Sequence, residues 1–175
     1  MGHESYAKNL LISNCHLVST NGFNSVYNFD LTSTILVDHC VMKVTTSSAA
    51  RYTNNIIIND SSLPTGAYGS NNIFITGGTS SAEADDDGNW YHMNKKDVWA
   101  DENESGNYAE NKTFELKDPI RYIGNDFTQI GLHGGIYAWN KIPVIPRITE
   151  CIMDTENVNN GTLKVSIKAE AQTKE

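Results

Sequence analysis

The chain has few charged residues, few cysteines and no long apolar run, and each shortage excludes a class of protein. Its 175 residues include 13 Lys and Arg against 21 Asp and Glu, a net charge of −8. No basic cluster occurs, so we expect neither nucleic acid nor an anionic membrane surface as a partner. No stretch approaches the roughly 20 apolar residues of a membrane span. The three cysteines match no zinc-type spacing.

The composition and the N-terminal residues indicate where the protein resides. Asn, Thr, Ser and Gly are abundant, which is typical of extracellular β-rich scaffolds rather than of cytosolic enzymes. The first residues lack the charged and apolar regions of a signal peptide. We therefore expect an extracellular or cell-surface protein, of which this chain is a fragment lacking its signal peptide. An intracellular location is the alternative.

Four nine-residue segments repeat one pattern, a short strand, a turn and a second short strand. They begin at Asn9, Thr34, Asn55 and Asn72, with offsets of 25, 21 and 17 residues. Alternate residues in each segment are apolar, which is the period of a strand and not of a helix. Because stacked strands must keep their register whereas connecting loops can vary, the repeat predicts strands stacked in register.

The alignment of these segments predicts which side chains stack. Four inward columns result: Leu10, Ile35, Ile56 and Ile73; Ile12, Val37, Ile58 and Ile75; Cys15, Cys40 and Ser61; and Leu17, Met42 and Leu63. Residues that tolerate a left-handed backbone precede the third column and predict a corner: Asn14, His39, Asp60 and Gly77. We expect Cys15 and Cys40 to be stacked buried thiols, with a disulfide as the alternative. An antiparallel sandwich would not explain the constant phase of the repeat.

The pattern Asn-Ile-x-Ile-x-Asn-Cys-x-Leu in residues 9–80 resembles the coil signature of pectin-lyase-like proteins of bacterial cell surfaces. Residues 114–119 and 126–135 are similar to the end of such solenoids, although Phe127 and Gln129 replace the usual Gly and Asp. Residues 139–172 are similar to a C-terminal extension found in some of them. The resemblance implies an all-β fold, a right-handed parallel β-helix (solenoid) with a C-terminal β-hairpin cap.

We predict two domains on this basis. Residues 1–136 form parallel β-helix coils, with a long acidic and aromatic loop at about 81–112 and a final coil at 120–136. Residues 137–175 form a capping hairpin, because alternating apolar residues flank an Asn-Asn-Gly turn at 159–161. No equivalent cap precedes Asn9. We therefore expect upstream coils of the same parent protein, or a partner, to cover the N-terminal edge.

Two groups of residues are candidates for binding. Aromatic rings on loops stack against sugar faces, so carbohydrate binding is predicted at Trp90, Tyr91, Trp99, Tyr108 and Trp139. Packing of these rings over the flank of the solenoid is the alternative. Oxygen ligands at Asp85, Asp87 and Asn89 suit Ca²⁺ as a cofactor, although an acidic, solvated loop is the preferred interpretation of the same residues.

No catalytic constellation is predicted. Asp38 is the one acidic residue at the predicted outward strand positions, and the nearest bases, Lys43 and Arg51, are expected at a loop. Acid–base hydrolysis needs paired carboxylates. We therefore predict a non-catalytic scaffold or adhesion module that binds polysaccharide or another glycan. The alternatives are the C-terminal part of a polysaccharide lyase or glycoside hydrolase with upstream catalytic coils, and a phage tailspike-like fibre segment.

Overall fold

The computed structural model describes residues 9–18, 34–43, 50–77, 80–101, 104–107, 109, 112–139, 147–154 and 164–170. These residues form strands with one four-residue helix, so the predicted all-β class is confirmed. The chain divides into two compact units, residues 1–139 and 140–175. Within the described ranges, no helix has the length and hydropathy needed to cross a membrane.

The first unit holds ten strands and the helix within its described residues. They are β1 (Asn9–Ser13), β2 (His16–Val18), β3 (Thr34–Asp38), β4 (Val41–Lys43), β5 (Ala50–Thr53), β6 (Ile56–Ile58), β7 (Tyr68–Ser70), β8 (Ile73–Ile75), β9 (Glu83–Ala84), β10 (Trp90–Met93) and α1 (Lys95–Val98). Strands β1, β3, β5 and β7 form one parallel sheet, and β2, β4, β6, β8 and β10 form a second. The short β9 pairs antiparallel with β10. Successive strands from β1 to β8 thus alternate between two parallel sheets.

The register of these sheets corrects the predicted columns for the third and fourth segments. Leu10 stacks on Ile35 and then on Ala50, whereas Ile56 stacks between Val41 and Ile73 in the other sheet. The isoleucine runs therefore follow the corner and do not precede it. The pattern misled because Ile56 pairs with Val41 and not with Ile35, and a displacement by an even number of residues leaves a period-two pattern unchanged.

A row of left-handed residues separates the two sheets and is here called the corner row. Its members share a positive φ of 50° to 57°: Asn14, His39, Asn54 and Asn71. Each backbone amide donates to the carbonyl of the neighbouring row, as from Asn14 to Asp38 and from His39 to Thr53, both at 3.2 Å. The predicted corner is confirmed at Asn14 and His39. Asp60 and Gly77 do not belong to the corner row, because their segments were aligned in the wrong register, although Gly77 also has a positive φ, of 66°.

Directly after the corner row lies a column of buried polar side chains, here called the asparagine stack: Asn55, Asn72 and Asn89. Asn72 Oδ1 accepts from the amide and the side chain of Asn55 at 3.1 and 3.0 Å. Asn72 Nδ2 donates to Tyr52 O and to Asn89 Oδ1, both at 2.9 Å. Each amide group therefore satisfies its neighbours away from water, which buried polar groups require.

The same column begins with two cysteines. Cys40 donates its backbone N–H to Asn55 Oδ1 at 2.8 Å, and Cys15 occupies the preceding row. Both are free thiols, as predicted. Burial raises the pKa of Cys40 to about 12. The Cys40 thiol therefore stays protonated and acts as a small apolar group in the core.

Two predictions about the rest of the first unit were wrong. The segment at 81–112, expected to be a loop, contains β9, β10 and α1, and β10 extends the second sheet beyond β8. Residues 120–136, expected to form a coil, consist of turns with an isolated bridge between Ile123 and Gln129. Neither segment has a period-two pattern of apolar residues from which its observed structure could have been predicted.

The second unit is an antiparallel pair of β11 (Arg147–Asp154) and β12 (Lys164–Glu170). The predicted hairpin strands are present, and the predicted turn at 159–161 lies outside the described residues. Ile148, Ile152, Val165 and Ile167 are all exposed. The burial expected for one face of the hairpin is therefore not found among its described side chains.

We expect Asn72→Ala to destabilise the protein by at least about 2 kcal/mol, because it leaves buried donors of Asn55 and the Tyr52 carbonyl without partners. Chemical denaturation measures the difference. Asn107→Ala is the matched control, since Asn107 is exposed and accepts a surface hydrogen bond from Lys43. Equal stabilities of the two variants would contradict a role for the asparagine stack.

Candidate functional site

Residues 122–135, here called the docking segment, lie across the corner row. Asn14 Nδ2 donates to the carbonyl of Gly134 at 2.8 Å. Asn54 and Asn125 exchange two hydrogen bonds, of 2.9 and 3.1 Å. The side chains that turn the corner therefore also hold a distant part of the chain.

The docking segment approaches the corner row so closely that glycine is required. A Cβ on Gly134 would lie 1.7 Å from Gln129 O and 2.5 Å from His39 Cδ2. A Cβ on Gly131 would lie 2.6 Å from Ile56 Cδ1. The glycines that carry the resemblance at 126–135 therefore have a packing reason within this chain.

His39 lies at the centre of a cluster that joins the two elements. Its Nδ1 is 2.9 Å from Asp38 Oδ2, and its Nε2 is 3.1 Å from Thr128 Oγ1 and 3.5 Å from Asp126 Oδ2. Thr128 Oγ1 is 2.9 Å from each Asp126 carboxylate oxygen and accepts from the Gly135 amide at 2.6 Å. The His39 side chain is 1% exposed. We call these residues the His39 cluster.

Asp38 is the more completely bonded of the two carboxylates in the His39 cluster. Thr53 Oγ1 donates to its Oδ1 at 2.6 Å, and Asn54 Nδ2 donates to the same oxygen at 3.0 Å. Burial alone would raise the pKa of Asp38. The hydrogen bonds from His39, Thr53 and Asn54 outweigh burial and hold the pKa below its usual value.

The order Asp38, His39, Thr128 matches the sequence of groups that activates a hydroxyl nucleophile. Here, however, the imidazole is buried and the Thr128 hydroxyl is held by Asp126 and Gly135. These contacts hold the docking segment in place, and the Thr128 hydroxyl is already hydrogen-bonded within that segment. The geometry therefore favours attachment over catalysis.

Arg51 does not lie in a loop as expected, but on β5, in register with Leu36. Its guanidinium is 5.8 Å from the ring centroid of the exposed Tyr68 on β7. The Arg51 guanidinium is thus stacked on Tyr68 of β7, which neighbours β5 on the side opposite to β3, the strand that ends at Asp38. Lys43 likewise ends β4 and donates to Asn107 at 3.0 Å.

A cleft of about 500 Å³ lies beside α1 and is here called the Arg121 cleft. Its lining residues are Ala82, Met93, Asp97, Lys117, Asp118, Arg121 and Tyr122. The Arg121 guanidinium carbon is 5.0 Å from the ring centroid of Trp90 and 5.5 Å from that of Tyr122. The Trp90 and Tyr122 rings themselves meet edge to face at 5.5 Å. The lining therefore combines cations and carboxylates, and Arg121 is held against the aromatic pair Trp90 and Tyr122.

Backbone contacts position the charged groups of the cleft. Asp118 Oδ1 accepts from the amide of Arg121 at 3.1 Å, which closes the turn between them. Lys117 Nζ donates to Lys96 O at 3.1 Å, and Tyr122 Oη donates to Asp97 O at 3.3 Å. Burial raises the pKa of Tyr122. Carboxylates can accept, and the two cations donate, hydrogen bonds to a hydroxyl-rich ligand.

The structure distributes the predicted carbohydrate-binding aromatics among different partners. Trp90 is half-buried beneath the Arg121 guanidinium and does not line the cleft, and Tyr91 stacks on Phe74 at 5.0 Å with its hydroxyl donating to Asp85. Trp139 is half-buried and meets His133 edge to face. Tyr108 lies outside the described residues.

The structure corrects the prediction that Trp99 binds carbohydrate. Trp99 is 1% exposed and belongs to the hydrophobic core, where it meets Phe114 edge to face at 6.1 Å and bridges to Leu116. A sugar needs an open ring face to stack on, which Trp99 does not present. Trp99 lies in a polar stretch of sequence, so no apolar pattern indicated that it belongs to the core.

The predicted calcium ligands are engaged in other contacts. The Asp85 carboxylate accepts from the amides of Asp87 and Asn89 at 3.0 and 2.8 Å and so caps their turn. Asn89 Oδ1 belongs to the asparagine stack and accepts from Asn72. Asp87 is exposed. In the described part of the chain, no group of three or more His, Cys, Asp or Glu side chains is arranged to hold a metal.

Sequence reasoning missed most of the Arg121 cleft and the whole His39 cluster. Asp97, Lys117, Asp118 and Arg121 are scattered over turns and a short helix, where no periodic pattern groups them. The available signal for the His39 cluster was the similarity of residues 126–135 to a solenoid end. That similarity marked the segment without indicating what it contacts.

Comparison with protein-family models, with curated proteins and with solved structures gives no match for this chain.

We expect Asp38 to make the protein sensitive to acid. Because its folded pKa is lowered, the stability it contributes is complete above its unfolded value of about 3.9 and is lost as pH falls through the folded pKa. Asp38→Asn should cost roughly 1–3 kcal/mol at neutral pH and flatten the profile of unfolding free energy below about pH 4. Urea titrations across pH measure both, with the exposed Asp86→Asn as control. A wild-type profile in the Asp38 variant would contradict this.

Proposed function

We propose that this chain is a non-catalytic, secreted or cell-surface module of the right-handed parallel β-helix class, and that it binds carbohydrate in the Arg121 cleft. The observation that carries the binding proposal is the Arg121 guanidinium stacked over Trp90 and Tyr122 in a cleft that also contains two aspartates. The localisation is supported by the composition, which is rich in Asn, Thr, Ser and Gly.

Four features support the β-helix part of the proposal. Successive strands alternate between two parallel sheets, and each row keeps its register with the next. The corner row and the asparagine stack repeat one corner from row to row. Crossover connections between parallel strands are right-handed in about 98% of cases, which supports the hand. The resemblance of residues 9–80 to pectin-lyase-like coils points the same way.

The Arg121 cleft has the groups that sugars use. Tyr122 is fully buried and presents no open ring face, but the charged side chains of the lining can bond to sugar hydroxyls. The carboxylates of Asp97 and Asp118 accept hydrogen bonds, whereas Lys117 and Arg121 donate them. Stacking of Arg121 on Trp90 and Tyr122 holds the guanidinium in place before a ligand arrives. A pre-positioned donor loses less entropy on binding.

The buried His39 cluster supports a non-catalytic role. Its carboxylate, imidazole and hydroxyl groups are bonded to one another and to the docking segment, with the imidazole 1% exposed. The aspartates of the Arg121 cleft keep a hydrolase as the alternative, because paired carboxylates perform glycoside hydrolysis. Binding experiments should therefore also assay release of reducing sugar.

We expect a glycan array probed with this chain to identify one class of bound carbohydrate. Calorimetry with the best glycan should then show at least about tenfold weaker binding for Arg121→Gln, which corresponds to about 1.4 kcal/mol. Arg51→Gln is the matched control, because Arg51 is also exposed and stacked on a tyrosine but lies outside the cleft.

Equal loss of binding in both arginine variants, or silence across the array, would contradict the glycan proposal. Cleavage of the bound glycan that disappears in Asp97→Asn would instead assign the hydrolase alternative.

We further propose that a pair of parallel strands, from an upstream coil or a partner, covers β1 and β2. Among the residues that the structure describes, these strands end their sheets, and Leu10, Ile12 and Leu17 are only partly buried, whereas the stacked Ile35, Val37 and Met42 are fully buried. Uncovered strand edges favour pairing with further strands.

We expect the isolated chain to self-associate through this edge, and Ile12→Lys to reduce that association by placing a charge where a strand must pair. Sedimentation velocity over a range of concentrations measures the effect, with Leu11→Lys as control on the exposed face of β1. A chain that stays monomeric and stably folded at all concentrations would contradict the proposal.

A further inference from the structure

Residues 122–130 form a tight hairpin whose arms are anchored in the core. At the base of this hairpin, the Ile130 amide donates to the Tyr122 carbonyl at 2.9 Å, and both residues are fully buried. Nearer the tip, the Gly124 amide donates to the Thr128 carbonyl at 2.7 Å. The three residues between Gly124 and Thr128 are therefore a turn whose two ends are held in place.

The third residue of this turn is a phenylalanine at a position that favours glycine. Phe127 has a φ of 64°, and its amide donates to the Gly124 carbonyl at 3.2 Å. A three-residue hairpin turn of this kind needs a left-handed backbone at its third residue, and glycine is the usual choice there. A bulky side chain is strained in that conformation. The chain thus carries an aromatic ring where the ring strains the backbone.

Burial does not compensate for the strain at Phe127. Among the described residues other than glycine, the positive φ values belong to six Asn or His residues and to two phenylalanines, Phe114 and Phe127. Phe114 is 4% exposed and packs against Trp99 and His16 in the interior. Phe127 is 90% exposed. Because uncompensated backbone strain concentrates at functional sites, the open ring of Phe127 is a candidate for contact with a ligand.

The other two residues of the turn supply polar groups. Asn125 and Asp126 are both exposed. Asn125 Oδ1 accepts from Asn54 at 2.9 Å, and the Asp126 carboxylate accepts from the Thr128 hydroxyl at 2.9 Å, so both side chains are held at the turn. An apolar ring accompanied by fixed amide and carboxylate groups suits a sugar, which has an apolar face and hydroxyls at its edge.

We propose that Phe127 is a carbohydrate-contacting residue whose exposed ring stacks on a sugar ring of the bound glycan. This inference rests on the carbohydrate ligand of the proposed function, but it does not rest on the Arg121 cleft. The lining of that cleft offers charged groups, and its aromatic member, Tyr122, is fully buried. Phe127 supplies the open ring face that the cleft lacks.

A second copy of the chain is the competing occupant of this surface. Ile136 is 92% exposed and follows Gly135, whose amide donates to Thr128 Oγ1 at 2.6 Å. The centre of a protein interface is depleted of charged residues, however, whereas the exposed Asp126 directly precedes Phe127. The turn therefore favours a sugar.

Two substitutions at one position separate the ring from the strain. Phe127→Asn removes the ring and introduces a residue that tolerates a positive φ. We expect its thermal midpoint to rise by about 2–4 °C and its binding of the best glycan from the array to weaken at least about tenfold in calorimetry. Phe127→Tyr retains both the ring and the strain, so its midpoint and its binding should stay near those of the wild type.

Tyr68→Asn is the matched control, because Tyr68 is also exposed but lies on β7 without a positive φ. This variant should show neither the higher midpoint nor the weaker binding. Wild-type binding by Phe127→Asn, a lower midpoint in that variant, or silence across the glycan array would overturn the proposal. A change in self-association by sedimentation velocity without a change in glycan binding would also overturn it, and would assign Phe127 to a contact between copies.

Comparison with Arg121→Gln distinguishes this inference from the proposed cleft. Weaker binding in Phe127→Asn with wild-type binding in Arg121→Gln would support stacking on Phe127 and reject the cleft. Weaker binding in Arg121→Gln alone would support the cleft and reject the role of Phe127.

Discussion

The left-handed backbone at one corner is the constraint on which the rest of the first unit depends. Asn14, His39, Asn54 and Asn71 turn the chain from one parallel sheet into the other with φ between 50° and 57°. Few side chains tolerate that conformation, and asparagine does so best among the larger polar residues. After Asn54 and Asn71, the turn also brings an asparagine into the core at the next position. The asparagine stack satisfies that residue, because each amide bonds to those of its neighbours.

The same corner side chains organise the distant parts of the chain. Asn14, His39 and Asn54 point away from the core and bind the docking segment, so a conformational requirement also supplies attachment points. The docking segment begins at Tyr122, whose ring packs on Trp90 and forms the wall of the Arg121 cleft. The docking segment therefore contacts the corner row and also contributes Tyr122 to the Arg121 cleft. We therefore expect a substitution in the corner row to alter the Arg121 cleft as well.

Aromatic residues show how far residue type can be interpreted without contacts. Trp90, Tyr91 and Trp99 lie within ten residues of one another in a polar stretch, yet one borders a cleft, one stacks on Phe74 and one is buried. The choice among these places depends on α1 and on the chain at 114–122, which return to cover β10 from a later part of the sequence. Such non-local packing leaves no local pattern in the sequence.

The sequence by itself determined the strand class, the parallel stacking and the corner at Asn14 and His39, because period-two burial and left-handed backbone are local properties of residue type. It did not determine the register of the isoleucine-rich rows, because a displacement by an even number of residues keeps the period-two pattern, and only the pairing of Ile56 with Val41 distinguishes the two alignments. Only the tertiary structure brought Asp126 and Thr128 to His39, and Arg121 to Trp90. Those contacts join residues 31 to 89 positions apart, and their energies depend on distance in space and not along the chain.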